Sequence, residues 1–472
     1  MKNNSDIKFD IEHLKRYTNT KDLLDCGIGV EREGLRVTAE GSLALTPHPK
    51  AFGNKLKNPL ITTDFSESQI EIVTPIMSGP RAAYQELSGL CDIVNYTIPD
   101  NEFFWPQSIP GIVPNENKIP IAQYEGGAEA QKAMDYRQAL VKKYGAKKQL
   151  ISGIHFNFSF SKDMIQKLYS HLGDGGSLKD FSDTLYLKVI RNYLRTRWLI
   201  IYLTGCSMAA HNSFLKDQDI RMELSDGHNG HYTLNGVSLR NSSMGYKNPV
   251  PLFPRYDSVK HFVQDVQGFV DNGKLSEPKE LYTQIRLKPK NVHHLLDSLR
   301  NDGIQYVEIR TMDLNPFDAC GISETDLSFM RVYMIYLLIK AENPYKNWQE
   351  EGLVNEDKTA SNAFDTQMTL TKNGEEIQLR EWGLEILNEM DQMDDDLKLG
   401  QHAMIMEMKE RVLHFQKTYA RQMAGLIHQS GYLEVQMSLA RQYKMQSIER
   451  MNKKWNPEIK KMVAAALSER DR

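Results

Sequence analysis

Gly29-Val30-Glu31-Arg32-Glu33-Gly34-Leu35-Arg36-Val37 is the stretch from which the fold can be read. As a β-strand, its period-two alternation sets Glu31, Glu33, Leu35 and Val37 on one face. Two carboxylates side by side on a strand repel each other, and neither gains from burial. Three other segments repeat the pattern. Residues 61–73 read as a second strand, with Glu67, Gln69 and Glu71 on one face and Ile70 and Ile72 on the other. Asp64 has the wrong parity and needs a bend or bulge to join the carboxylates. In residues 154–160, His155, Asn157 and Ser159 alternate with Phe156, Phe158 and Phe160. Residues 306–310 set Glu308 beside Arg310, and Asn315-Pro316-Phe317 ends that strand because Pro cannot continue a central ladder.

If these strands share one sheet, its polar face carries Glu31, Glu33, Glu67, Glu71 and Glu308 with His155 and Arg310 among them. So many carboxylates cannot all stay ionised unless cations neutralise them. Oxygen-rich ligation with a single His favours Mg²⁺, or Mn²⁺, over zinc. Mg²⁺ keeps positions open for phosphates, so a nucleotide is the natural guest. A solvated acidic sheet face is the alternative that these residues leave open.

The rest of the chain supplies helices. Residues 8–26 read as one short amphipathic helix, 80–97 and 134–144 as two more, and 180–215 as a helical run covering the aromatic face. Within that run, residues 198–210 are apolar but too short to span a bilayer, so a buried core helix is expected. From about Ser323 the chain turns helical, and from Leu379 it is rich in Met, Glu and Lys at helical spacing. The expected class is α+β, an antiparallel sheet covered by helices, with a helical C-terminal region. The 472 residues carry a net charge of −3, which gives no electrostatic case for nucleic acid or an anionic membrane. Cys26, Cys91, Cys206 and Cys320 lie far apart, without metal or disulfide spacing, which fits a reducing cytoplasm. The N-terminal MKNNSDIKFD lacks the apolar core of a signal peptide. No P-loop motif occurs, and Gly27-Ile28-Gly29 lacks the third glycine of a dinucleotide loop at Arg32.

The four strand segments, together with Ile151-Ser152-Gly153, Gly245-Tyr246 and Asn315-Pro316-Phe317, resemble the motifs of bacterial glutamate–cysteine ligases. The resemblance runs in order through residues 25–340 and is weak beyond; it includes the N-terminal part of bifunctional glutathione-synthesising enzymes. It implies a glutamine-synthetase-like half-barrel or funnel whose concave face holds metals and ATP. It implies ATP-dependent joining of the glutamate γ-carboxylate to cysteine through a γ-glutamyl phosphate, the first step of glutathione biosynthesis. No ATP-grasp sequence follows, so only that ligation is expected. Carried over by position, the metal ligands are Glu31, Glu33, Asp64, Glu67, Glu71, His155 and Glu308. Substrate contacts fall on Tyr136, Arg137, Gln149, Asn157, Arg240, Tyr246, Tyr282 and Arg310, with Arg310 and Arg240 as the catalytic pair. The expected organisation is a catalytic core over 1–340 with a helical extension over 341–472 packed on it, or one single domain. Three other readings share these features: a γ-glutamyl ligase for another amine, a guanidino-phosphotransferase-like enzyme that forms no amide, and a non-catalytic metal-binding or interaction protein that would release no phosphate from ATP.

Overall fold

The opening motif lies in a thirteen-residue strand, β1 (Cys26–Thr38), in a computed structural model that describes residues 9–216 and 218–453. The leader reading of residues 1–8 and the end of the C-terminal helical run, 454–472, lie outside the described residues. Along the chain follow β2 (Ile61–Thr63), β3 (Gln69–Val73), β4 (Met77–Ser78), β5 (Glu102–Phe104), β6 (Ile154–Phe160), β7 (Ala209–His211) and β8 (Leu224–Ser225). Then come β9 (Gly230–Tyr232), β10 (Ile285–Lys288), β11 (Tyr306–Met312), β12 (Thr369–Lys372) and β13 (Glu375–Gln378). One antiparallel sheet runs β10-β11-β6-β1-β3-β2, with β4 and β5 also paired to β1. Its register aligns the predicted polar residues: Glu31 faces His155 on β6, Glu33 faces Glu71 on β3, and Glu308 faces Asn157.

The reverse face is apolar, as the alternation requires. Ile28, Val30, Ile72, Ile154, Phe156, Phe158 and Ile309 are all buried in one cluster with residues of helices Pro80–Thr97, Leu178–Thr204 and Glu324–Ile339. Burying each such side chain contributes about 1.5–3 kcal/mol, and Phe156→Ala in this core costs about 3–5 kcal/mol. Arg32 also points this way, with its guanidinium 3.9 Å from the Phe104 ring centroid and Nη1 donating to Cys91 Sγ at 3.3 Å.

Three expectations are corrected. Residues 61–73 form a hairpin, not one strand: Gln69 N donates to Ser66 O and Asp64 N to Gln69 O, closing a tight turn between β2 and β3. The helix expected over 8–26 is two, Ile11–Tyr17 and Thr20–Leu24, because Asp10 and Asn19 each cap a start. The run 180–215 is helical over Leu178–Thr204; past Gly205 the chain pairs with β9 as β7, before the short helix Asn212–Leu215. β5, β10 and the small pairings β7-β9-β8 and β12-β13 were not foreseen.

The apolar segment at Trp198 belongs to the core helix, Trp198 packing on Trp382 at 4.8 Å. Among the described residues no helix is long and apolar enough to cross a membrane. Downstream, helices Trp348–Asn362, Leu379–Leu397, His402–Leu413, Tyr419–Ser430 and Tyr432–Asn452 pack back on the rest. The last is held to helix Pro80–Thr97 by Arg450, whose Nε and Nη2 reach Asp92 at 2.8 and 2.6 Å.

Candidate active site

The polar face of the sheet lines a cavity of about 440 Å³. Strand parity delivers Glu31 and Glu33 from β1, Glu71 from β3, His155 from β6, and Glu308 and Arg310 from β11. Asp64 joins them from the turn after β2, so the bend its parity demanded is the hairpin turn itself. Tyr136, Gln149, Arg240, Tyr246 and Tyr282 line the same cavity from outside the sheet. Arg240 fits because residue 153 is glycine: a Cβ there would lie 2.3 Å from the guanidinium carbon.

Glu31, His155 and Glu308 have ligating atoms within 4.8 Å of one another. Glu31 Oε2 lies 2.8 Å from His155 Nδ1, and Asn157 Nδ2 donates to Glu31 Oε1 at 2.9 Å. Burial and the Arg310 charge push His155 down to about 4, so the ring is neutral near pH 7. Bonded to a carboxylate, a neutral ring must carry its proton on Nδ1, which leaves a lone pair on Nε2. That Nε2 makes no hydrogen bond and lies 3.4 Å from Glu33 Oε1. That lone pair is free to ligate a cation.

The carboxyls divide into two groups. Burial opposes ionisation of Glu308, yet Lys288, Arg310 and Arg286 hold it well below the usual range. Arg310 Nη1 donates to Glu308 Oε1 at 2.5 Å, and Lys288 Nζ contacts Oε2. Burial and Asp64 push Glu33 up to about 8, despite Arg240 and Arg310. Burial also raises Asp64, and burial with three carboxylate neighbours raises Glu71 well above its usual range. Crowded acids with raised pKa values and an unpaired imidazole nitrogen fit a hard divalent cation.

Three predicted residues stand elsewhere. Glu67 sits in the β2–β3 turn, outside the cavity wall, where its carboxylate accepts from Lys55 Nζ at 2.5 Å and from the His48 and Gln123 amides at 2.6 Å. Turn geometry breaks the parity that would have aligned it with Glu71. Arg137 also lies off the wall: Nε donates to Asp64 O at 2.6 Å and the guanidinium stacks 4.7 Å from the Tyr124 ring centroid, so it braces the Asp64 turn. Asn157 lies behind Glu31 and orients it.

The wall also contains residues the sequence reading passed over: Arg286 and Lys288 on β10, Lys279, Lys247, Arg197, Gln284 and Glu356. For β10 the signal was present, since Gln284, Arg286 and Lys288 alternate with Ile285 and Leu287. Lys279 Nζ lies 3.6 Å from the Tyr136 ring centroid.

Comparison with known proteins bears on this arrangement. The family model described as glutamate-cysteine ligase matches residues 11–275 and 269–361. Glutathione biosynthesis bifunctional protein GshAB of Clostridium perfringens is 38% identical over 427 residues, 89% of this chain and 54% of that protein. Its counterpart in Listeria monocytogenes serovar 1/2a is 38% identical over 444 residues, 92% of this chain and 56% of that protein. The chain thus spans about half the length of the curated relatives it matches, and the likeness extends past residue 340, where the motifs alone are weak. Among solved structures, glutamate–cysteine ligase of Francisella tularensis in complex with AMP superposes with a TM-score of 0.86 at 27% identity, covering 95% of this chain and 94% of that one. A bifunctional glutathione synthetase from Pasteurella multocida gives a TM-score of 0.78 at 30% identity, over 93% of this chain and 54% of that one. With the matched residues spanning the strands that build the acidic face, the chain belongs to the glutamate–cysteine ligase family.

Proposed function

We propose that this protein joins the γ-carboxylate of glutamate to the amine of cysteine, driven by ATP, giving γ-glutamylcysteine. The observation that carries the reading is a single cavity with an acidic, arginine-lined floor and a tyrosine wall. The floor suits phosphoryl transfer and the wall suits a small amino acid.

A carboxylate is resonance-stabilised and does not react with amines at neutral pH. Transfer of the γ-phosphoryl group of ATP to the glutamate carboxylate gives an acyl phosphate that the cysteine amine can attack, releasing phosphate. Nucleotide binding is supported by the AMP complex of the Francisella relative. Arg310, fixed against Glu308, would hold an oxygen of the transferring phosphoryl group. Arg286 and Lys288 extend that row of positive charge along β10. Arg240 would clamp a substrate carboxylate through its planar fork. Glu31, His155 and Glu308 would hold one divalent cation, with Glu33, Asp64 and Glu71 beside it. When bound, Mg²⁺ or Mn²⁺ neutralises phosphate charge. Tyr136, Tyr246 and Tyr282 would enclose the cysteine side chain. We assign these roles to residues 1–340, with the segment from 341 completing the cavity wall through Gln349, Leu353 and Glu356. Cytoplasmic residence is part of the same reading.

Phosphate release from ATP with glutamate, measured with and without cysteine, tests it. Release that depends on both amino acids, with γ-glutamylcysteine as product, is expected. Phosphate without an amide product would instead favour a phosphotransferase.

A further inference from the structure

Helix Trp348–Asn362 contributes a buried carboxylate to the cavity. Glu356 is 1% exposed, and its two oxygens make three side-chain contacts. Oε1 accepts from Lys247 Nζ at 2.6 Å and from Gln284 Nε2 at 2.8 Å, and Arg197 Nε binds Oε2. Lys247 follows Tyr246 and Gln284 follows Tyr282 by two residues. Glu356 therefore ties together the two loops that carry these tyrosines. A second tie is direct: Tyr246 Oη donates to Tyr282 Oη at 2.5 Å, the rings lying 4.6 Å apart. Asn248 Oδ1 accepts from Tyr282 N at 2.8 Å, a third tie between the same loops. Gln284 also accepts from the Arg310 amide through its carbonyl, so the joint reaches the phosphate end of the cavity.

The helix is a stiff mount for this carboxylate. A Cβ on Gly352, one turn before Glu356, would lie 2.4 Å from Leu194 O, so the helix sits on Leu178–Thr204 at backbone contact. Arg197, on that same core helix, anchors the other carboxylate oxygen. Burial pushes the Glu356 carboxyl up, but Lys247 and Arg197 with the Lys247 and Gln284 hydrogen bonds leave it at about 2, so it is ionised under all working conditions. Without its negative charge, Lys247 and Arg197 would face each other uncompensated, and Lys247 would swing away and carry its loop with it.

We propose that Glu356 is a positioning residue for amine recognition: through Lys247 and Gln284 it sets the separation of Tyr246 and Tyr282, and so the width of the amine pocket. The inference rests on the ligase reading above. It gives the segment beyond residue 340 a specific task in that reaction, which neither motif nor composition assigns.

The test compares Glu356→Gln and Lys247→Met with the wild-type chain in phosphate-release kinetics, varying cysteine, glutamate and ATP in turn. Lys247→Met keeps the Arg197–Glu356 pair and serves if Glu356→Gln folds poorly. A pocket that no longer fits the small cysteine side chain loses about tenfold to a hundredfold in recognition, so the Michaelis constant for cysteine should rise by about that factor, with smaller changes for ATP. The rate ratio of cysteine to bulkier amines should fall in parallel. An unchanged cysteine constant in both variants would overturn the proposal, as would equal rises for all three substrates that track a lowered melting temperature. A wild-type chain that releases no phosphate with glutamate and any amine would sink the ligase reading, and this inference with it.

Discussion

The two ends of the cavity are built differently. The acidic floor is carried on strands, where backbone register alone sets Glu31 opposite His155 and Glu33 opposite Glu71. The tyrosine wall is carried by the loops of Tyr246 and Tyr282 and by Tyr136 in helix Ala128–Tyr144, and the two loops are held by side chains: the Tyr246–Tyr282 hydroxyl pair, Asn248, and the Glu356 cluster. Ladder hydrogen bonds fix the floor as tightly as the fold itself. The wall can shift without unpairing a strand. Reaction chemistry on a rigid sheet and selectivity on adjustable loops is the expected division of labour.

Substitutions that separate the two ends sharpen this contrast. The largest effect belongs to the floor. Glu31→Gln keeps a hydrogen-bonding side chain but removes a charge, and should lower turnover by about a thousandfold with the fold retained. Circular dichroism and phosphate release, measured together, check it; near-normal turnover at saturating Mg²⁺ would detach the floor from the chemistry.

Acid should act on the wall next. The Glu356 carboxyl lies at about 2 against an ordinary 4.5. Its folded pKa is depressed by Lys247 and Arg197, so its contribution is full above about pH 4.5 and is lost as pH falls from there toward 2. The stabilisation at stake is up to about 3 kcal/mol. Denaturant midpoints taken at pH 6 and pH 3 should therefore fall less in Glu356→Gln than in the wild type. Equal losses would mean that the pair contributes nothing to the acid limb.

Arg310→Lys tests the boundary between the ends. Lysine keeps the charge and loses the planar fork, so turnover should drop by about tens of fold, more than the Michaelis constant for glutamate rises. A change in ATP affinity alone would make Arg310 a binding residue.

The smallest effect is expected at the wall itself. An apolar or aromatic pocket separates near-isosteres by only about 1–3 kcal/mol. The wild type should therefore accept 2-aminobutyrate, whose methyl replaces the thiol, and Tyr246→Ala should blunt rejection of larger amines by about 1–2 kcal/mol. Phosphate release across a panel of amines, with glutamate fixed, reads this. A preference for ammonia or a bulky amine would overturn cysteine as the substrate while leaving the floor's chemistry in place.

The floor was legible in the order of residues alone. Period-two alternation through Glu31, Glu33, His155, Glu308 and Arg310 is a local property, because successive strand residues must point to opposite faces whatever the strand's neighbours are. Even the misfit of Asp64 was legible as a demand for a bend. Tertiary structure decided what alternation could not carry. Glu67 left the set because its turn has no strand parity, and Arg137 went to bracing the Asp64 turn. Glu356 reads in sequence as one more charge on a polar helix, Trp348–Asn362. Its burial depends on Arg197 and Lys247, which arrive from 159 and 109 residues away. Pairing over such distances leaves no local pattern, since only the packed chain brings the partners within reach of each other.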